Sequence, residues 1–207
     1  MWSSVFAMPE GLEVYHLARV LRASGVAPDA HSVGKHLYVY GQDWTFGLSG
    51  RVRLGPDGKL QKVNTGRVHG SVVDLGVGDP CEPRLGVDFA WAAYDTLAAA
   101  VHGHWTGSRR LLGPLMLDQD VVAGIGVAWG SEILKAAGGL HPGRPAKDQD
   151  LRGLAAAMCR VRDAALAQYS DRVKDVDGWF DSLYAVRTMA VYKKGTPLEV
   201  GGRTWWM

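Results

Sequence analysis

The spacing of apolar and polar positions changes along the chain, first helical and then strand-like. Residues 9–23 carry apolar side chains at helical spacing, and Ser24 and Gly25 end the run, so this stretch is predicted to be a helix. Short runs rich in β-branched and aromatic residues follow, and they indicate a β-sheet unit that we interpret as a sandwich. The predicted strands are residues 33–40, 44–54 and 68–77.

The second half of the chain is predicted to be helical and to end in a hairpin. Alanine-rich runs at residues 92–101 and 151–169 have the composition of helices. Between them the pattern predicts two helices joined at residues 124–126, Gly-Ile-Gly. Amides at such a turn, beside a helix N-terminus, can hold a phosphate, although many helical hairpins carry glycine there without touching DNA. Residues 190–207 predict a β-hairpin with a strand at 191–194, a turn at 195–197 and further strand residues at 198–206 around Gly-Gly-Arg at 201–203, which places Arg203 at a tip.

The composition is that of an ordinary globular chain that can bury a core, and it excludes few functions. Of 207 residues, 47% are hydrophobic and 21% charged, and the formal net charge is +2, so a nucleic-acid partner would have to meet a local basic face. Cys81 and Cys159 form neither a disulfide framework nor a CxxC pair, which indicates a reducing compartment. Neither a signal peptide nor a membrane span is predicted, and we expect a cytoplasmic protein.

The helix start at residues 8–14, Met-Pro-Glu-Gly-Leu-Glu-Val, allows two interpretations. Proline and glutamate suit a first helical turn, which alone explains them. If translation begins at Met8 and that residue is removed, however, Pro9 becomes a secondary amine that can form an iminium with a sugar carbon. With residues 1–7 attached, the Pro9 nitrogen is a tertiary amide and cannot react. We expect the start to be Met8, because the motif begins cleanly there.

Four pieces of the chain, in order, resemble motifs of the formamidopyrimidine-DNA glycosylase and endonuclease VIII family of base-excision enzymes. The piece that resembles the helix–two-turn–helix motif is the most specific, because a long run of positions agrees at matching spacing. The pieces are residues 8–14 (the N-terminal catalytic motif), 34–37 with 47–51 (the lysine-bearing strand and base-wedging loop), 117–145 (the helix–two-turn–helix) and 191–192 with 201–204 (the C-terminal finger).

The resemblance implies an α+β fold in three parts. Residues 1–91 would form an N-terminal catalytic-type domain of one helix and a β-sandwich. Residues 92–188 would form the helical helix–two-turn–helix DNA-binding domain, and residues 189–207 a short, metal-free finger hairpin.

The resemblance also implies roles for individual residues. Pro9 would attack C1′ of the damaged nucleoside, Glu10 would protonate or orient the opened sugar, and Glu13 would support the same pocket. Lys35 would contact phosphate beside the lesion. The remaining residues would bind DNA, by filling the gap left by the everted nucleotide, facing the orphaned base or holding phosphate: Leu48, Arg51, Arg84, Gly124, Gly126 and Arg203.

Three departures from the family pattern affect these expectations. The tail lacks the four cysteines that bind zinc in the family's finger, so we expect neither a metal nor another cofactor. Val127 stands where the family normally has an asparagine that binds phosphate, so DNA binding should be weakened or rearranged. Gly113 stands where many members have a lysine near the phosphate.

The function implied is that of a DNA glycosylase with abasic-site lyase activity, acting in base-excision repair as a monomer at the nucleoid. Its partner would be double-stranded DNA with a damaged, modified or abasic nucleotide, and no membrane. Val127 and a blocked Pro9 would instead favour a catalytically inactive protein that recognises abasic or distorted DNA. A third possibility is that the fold serves only as an interaction module.

Overall fold

The structure is a computed structural model that describes residues 10–45, 50–54, 56–58, 60–64, 85–172 and 189–207. Within these ranges it has five α-helices: α1 (Gly11–Ala23), α2 (Tyr94–Ala100), α3 (Leu112–Met116), α4 (Val127–Ala136) and α5 (Leu154–Arg172). The strands of the same ranges are β1 (His31–Val33), β2 (His36–Val39), β3 (Gln42–Thr45), β4 (Gly50–Leu54), β5 (Leu60–Asn64), β6 (Val87–Asp88), β7 (Val122–Ala123), β8 (Pro197–Val200) and β9 (Arg203–Trp206).

Helix α1 begins at a reciprocal cap, which confirms the predicted helix start. Glu10 is the N-cap residue; its carboxylate accepts a hydrogen bond from the Glu13 N–H, and the Glu13 carboxylate accepts one from the Glu10 N–H at 3.0 Å. At the other end Ser24 donates its N–H to the Val20 carbonyl at 2.9 Å. The buried face of α1, which includes Leu17, packs into the core.

The strand predictions were right in type and wrong in extent. Residues 33–40 do not form one strand, because Gly34 has φ 58° and turns the chain with Lys35 into the antiparallel β1–β2 hairpin. Strand β3 pairs antiparallel with β2, while β4 pairs with β5 in a separate antiparallel hairpin, so the stretch 44–54 also contains two strands. The predicted strand at 68–77 lies outside the described residues.

Helices α3 and α4 confirm the predicted pair, but α3 ends at Met116, eight residues before the glycine turn at which the two helices are predicted to join. Residues 117–126, between the two helices, are called the two-turn segment below. This segment contains β7, which pairs in parallel with β6 and so connects the segment to the first half of the chain. The alanine-rich runs are confirmed as α2, which continues into a π-helical turn at Val101–Trp105, and α5. The tail forms the antiparallel β8–β9 hairpin, so a hairpin in this segment is confirmed, but its strands are placed differently: residues 191–194 are not a strand, and the chain turns at 201–202 rather than at 195–197.

One set of buried side chains runs through both halves of the described chain. Each large aliphatic side chain buried there contributes about 1.5–3 kcal/mol. Because this core joins α1 to α4 and α5, it crosses the proposed boundary between residues 91 and 92, and that boundary stays a prediction. Its largest fully buried members include Leu12, Leu17, Leu21, Leu37, Phe89, Leu97, Trp105, Leu112, Met116, Tyr169 and Trp205. Within the described ranges no helix is long and apolar enough to span a bilayer.

Candidate functional site

The carboxylate of Glu10 lies at the N-terminus of α4 and is 7% exposed. It accepts hydrogen bonds from the backbone N–H groups of Gly126 at 3.2 Å, Ala128 at 3.1 Å and Trp129 at 3.1 Å. These amides belong to the first turn of a helix, where they have no intrahelical partner and where the helix dipole favours an anion. Glu10 therefore caps α4 in addition to starting α1.

Two glycines let the backbone of α1 approach the two-turn segment closely. Gly11 donates its N–H to the Gly124 carbonyl at 2.9 Å, and a Cβ on Gly11 would lie 2.6 Å from the Gly124 Cα. Gly124 has φ 90°, which L side chains rarely adopt. A side chain at either position would push the start of α1 away from the turn that Glu10 caps.

Glu13 is a second buried carboxylate, only 1% exposed, next to the first. It accepts the Trp129 indole N–H at 3.2 Å and the Tyr169 hydroxyl at 3.1 Å, in addition to the Glu10 N–H. Hydrogen bonds of this kind offset the cost of removing a charge from water. Since Trp129 is on α4 and Tyr169 on α5, Glu13 ties the N-terminal motif to both helices.

Asp88 brings the Lys35 turn to the same place. Its carboxylate accepts the N–H groups of Gly34 at 2.7 Å and Ala90 at 2.8 Å, and it is 2% exposed. Burial raises the pKa of Asp88, and the hydrogen bonds from Gly34 and Ala90 oppose that rise. Gly34 in turn packs against Gly124, so the half-buried Lys35 follows a residue in contact with the two-turn segment.

Gln119 fixes the conformation of the two-turn segment from within. Its side-chain oxygen accepts the Gly124 N–H at 2.8 Å, and its amide nitrogen donates to the carbonyls of Leu117 and Ile125, each at 3.1 Å. The Gly126 N–H is likewise engaged, by Glu10. A phosphate could bind the amides of Gly124 and Gly126 only by displacing these acceptors, so their assignment to DNA stays a prediction.

Comparison with known proteins gives one local sequence match and several matches to whole structures. No protein-family model matches the chain. A formamidopyrimidine-DNA glycosylase of Moorella thermoacetica is 39% identical over 90 residues, which are 42% of this chain and 32% of that protein. The aligned region thus spans about a third of the length of that curated relative.

Some of the structural matches cover nearly the whole chain. The crystal structure of MutM (Fpg) from Thermus thermophilus has a TM-score of 0.62 at 20% identity and covers 96% of each chain. The LlFpg protein, solved with THF-DNA and an inhibitor, has a TM-score of 0.69 at 15% identity and covers 96% of this chain and 97% of its own. The chain has the formamidopyrimidine-DNA glycosylase fold. The α+β fold class and the resemblance to this family are therefore confirmed.

Within the formamidopyrimidine-DNA glycosylase fold, three of the predicted catalytic residues are described, and two of them, Glu10 and Glu13, come together at the start of α4. Lys35, 22 or more residues further along the chain, follows Gly34, which packs against Gly124. Pro9, bonded to Glu10, lies outside the described residues.

The predicted DNA-binding residues are only partly described. Leu48 and Arg84 lie outside the described residues, and the backbone of Arg51 pairs with Val63 in the β4–β5 hairpin. Arg203 begins β9 and is exposed. Val127 is the first residue of α4 and half-buried.

Sequence reasoning missed Asp88, Trp129 and Tyr169. Each is far along the chain from the residue that it contacts: 54 positions separate Asp88 from Gly34, and 156 separate Tyr169 from Glu13. No periodic or local pattern marks such partners. A buried carboxylate near the chain start does require donors, however, and this could have directed attention to the tryptophans and tyrosines of the helical half.

Proposed function

We propose that this chain is a DNA glycosylase of base-excision repair with abasic-site lyase activity, and that its nucleophile is the amine of a terminal Pro9. The observation that carries the proposal is the position of Glu10. The residue bonded to Pro9 places a buried carboxylate against three backbone amides at the start of α4. Glu10 thereby links the candidate nucleophile to residues 117–145, which resemble the family's DNA-binding helix–two-turn–helix motif.

The proposed reaction begins with attack of the Pro9 lone pair on C1′ of the damaged nucleoside. The glycosidic bond breaks, the base leaves with its electron pair and a proton, and opening of the C1′–O4′ bond gives an iminium. The Pro9 nitrogen gives up its own proton as the iminium forms, and the Glu10 carboxylate takes up that proton and passes it to O4′, while the departing base takes its proton from solvent. Loss of a C2′ proton then expels the 3′ phosphate, which cleaves the strand. Glu13 supports this pocket through its bonds to Trp129 and Tyr169.

The proposed partner is duplex DNA with a damaged, modified or abasic nucleotide. Related structures support it: a Lactococcus lactis formamidopyrimidine-DNA glycosylase, non-covalently bound to DNA with an AP site, matches 87% of this chain with a TM-score of 0.56 at 15% identity. Lys35 and the exposed Arg203 would neutralise phosphates, and Arg51 and Arg84 would add contacts. Leu48 would fill the gap left by the everted nucleotide.

The second candidate is a catalytically inactive protein that recognises abasic or distorted DNA. Val127 favours it, because a valine at the first position of α4 offers no side-chain hydrogen bond where the family has a phosphate-binding asparagine. A chain that keeps residues 1–8 also favours it, because the Pro9 nitrogen is then an amide.

Borohydride trapping on abasic-site duplex tests the proposal with two proteins that differ only at the N-terminus. One begins at Pro9, as verified by intact mass, and the other keeps residues 1–8. We expect a covalent protein–DNA adduct with the first protein and none with the second, since only a free amine forms a reducible iminium. Binding of the duplex by both proteins without an adduct would support the inactive DNA-binding protein instead.

A further inference from the structure

The C-terminal hairpin lacks the ligands for the zinc that the fold family implies. Residues 189–207 contain no cysteine, histidine or aspartate, and Glu199 carries their single side-chain carboxylate. In the described part of the chain, no three His, Cys, Asp or Glu side chains cluster in a way that could hold a metal ion. Structural zinc sites need four ligands, so zinc does not fit this hairpin. Something else must hold the hairpin against the helices.

An aromatic side chain occupies the interface between the hairpin and the helices. Trp205, in β9, is fully buried between Gly113 of α3 and Gly130 of α4. A Cβ on Gly113 would lie 2.9 Å from Cε2 and Cζ2 of the indole, and a Cβ on Gly130 would lie 2.8 Å from its Cζ3. Both distances are shorter than a carbon–carbon contact allows. The indole therefore needs glycine on each side.

Side chains of α4 bind the backbone at both ends of the hairpin. The Glu132 carboxylate accepts the N–H groups of Ala190 at 2.9 Å, Val191 at 2.8 Å and Tyr192 at 2.8 Å. The Ser131 hydroxyl accepts the Trp206 N–H at 3.1 Å. These bonds fix the entry and the last strand of the hairpin on the same helix turn.

The tip of the hairpin, which carries Arg203, touches α3. Gly201 has φ 60°, and a Cβ on it would lie 3.0 Å from Cγ of Pro114. Arg203 and Trp205 are two residues apart in β9, so their side chains leave the strand on the same side. The position of the Trp205 indole therefore sets the direction in which the exposed Arg203 side chain leaves the strand.

We propose that Trp205, seated between Gly113 and Gly130, replaces the family's zinc as the anchor of the finger and is the positioning residue for Arg203. The proposal rests on the proposed function only in that Arg203 contacts DNA phosphate. It also accounts for Gly113: a lysine there, as in many family members, would occupy the space of the indole. The phosphate-binding lysine and the aromatic anchor exclude each other.

The anchor itself is tested without DNA, by hydrogen–deuterium exchange of peptides from residues 189–207. We expect Trp205→Ala to speed exchange of the amides bound by Glu132 and Ser131, and Thr204→Ala, on the exposed side of the same strand, to leave it unchanged. EDTA should have no effect on the unaltered chain. Faster exchange in EDTA, or unchanged exchange in Trp205→Ala, would overturn the anchor.

The positioning role is tested by affinity for a duplex with a tetrahydrofuran abasic analogue, in EDTA. We expect Arg203→Ala and Trp205→Ala each to lose about tenfold or more in affinity, and the double variant to lose no more than either alone, because the tryptophan acts through the arginine. Trp205→Phe should recover part of the loss. Additive losses, or loss of binding by the unaltered chain in EDTA, would overturn the positioning role.

Gly113→Lys tests whether this position can carry a phosphate-binding lysine or must leave space for the indole. Gly113→Ala tests the same contact if the variants of Trp205 fail to fold. The lysine adds a positive charge near the DNA, yet we expect weaker binding and faster exchange, because it displaces the indole; the alanine should act in the same direction by less. Tighter binding by Gly113→Lys would overturn the mutual exclusion. If the unaltered chain binds no abasic duplex at all, the proposed function fails, whereas the exchange experiment still decides the anchor.

Discussion

Replacing Glu10 by glutamine measures how far the start of α4 depends on this carboxylate. Oε2 accepts the N–H groups of Gly126 and Trp129, and Oε1 accepts that of Ala128. A glutamine keeps one acceptor and turns the other into an N–H₂ group, so at least one buried donor loses its partner, at a cost of about 1–3 kcal/mol. Loss of the charge at the helix N-terminus adds about 0.3–2 kcal/mol. We expect Glu10→Gln to lower the free energy of unfolding by about 2–4 kcal/mol.

Urea unfolding followed by tryptophan fluorescence gives this quantity. With a slope of about 2 kcal/mol/M, the expected loss moves the midpoint down by about 1–2 M. Glu199→Gln is the matched control, because Glu199 is exposed on the C-terminal hairpin and a glutamine keeps an oxygen that can accept the Thr204 hydroxyl, and we expect a change below about 0.5 kcal/mol. A change of the same small size for Glu10→Gln would refute the reasoning, because the buried carboxylate would then contribute no more at α4 than an exposed carboxylate does.

Three further substitutions test other contacts of the site. Tyr169→Phe removes the hydroxyl bonded to the buried Glu13, and we expect about 1.5–3 kcal/mol less stability in urea; the exposed Tyr40→Phe should cost less, and equal losses would contradict the assignment. The pKa of Asp88 is raised from 3.8, so its contribution to stability is full below pH 3.8 and falls as pH rises through the folded-state pKa. Unfolding curves from pH 4 to 7 should therefore show the unaltered chain losing stability relative to Asp88→Asn. A difference in unfolding free energy that stays constant over this range would be evidence against the raised pKa of Asp88. Lys35→Ala should weaken binding to abasic duplex and reduce the salt dependence by about one released ion, without changing stability; an unchanged slope would show that Lys35 touches no phosphate.

The helices of this fold, and the presence of a hairpin in the tail, could be predicted because their signals are local, whereas the first strand of the hairpin lies later in the chain than predicted. Proline and glutamate mark the start of α1, and the glycines at 124 and 126 mark the segment between α3 and α4. The strand at 33–40 was predicted too long because strand-forming residues lie on both sides of Gly34 and Lys35. Nothing in composition shows that Gly34 adopts a positive φ there.

The site could be predicted only where the resemblance supplied residues. It supplied Glu10, Glu13 and Lys35, but not their partners, because Asp88, Trp129 and Tyr169 are distant in sequence and come close only when the helices pack. Gly113 shows the same limit. In the sequence, Gly113 stands out only as the position where many family members have a lysine. In the structure, the absence of a side chain at Gly113 leaves the space that the Trp205 indole fills.

The proposed chemistry is tested most directly by locating the borohydride-trapped adduct in a protein verified to begin at Pro9. After digestion, peptide mass spectrometry should find the reduced sugar remnant on the nitrogen of Pro9, in the peptide that continues with Glu10. A remnant on Lys35 would contradict the assignment of the nucleophile. No adduct across abasic and oxidised substrates would contradict covalent catalysis by this chain.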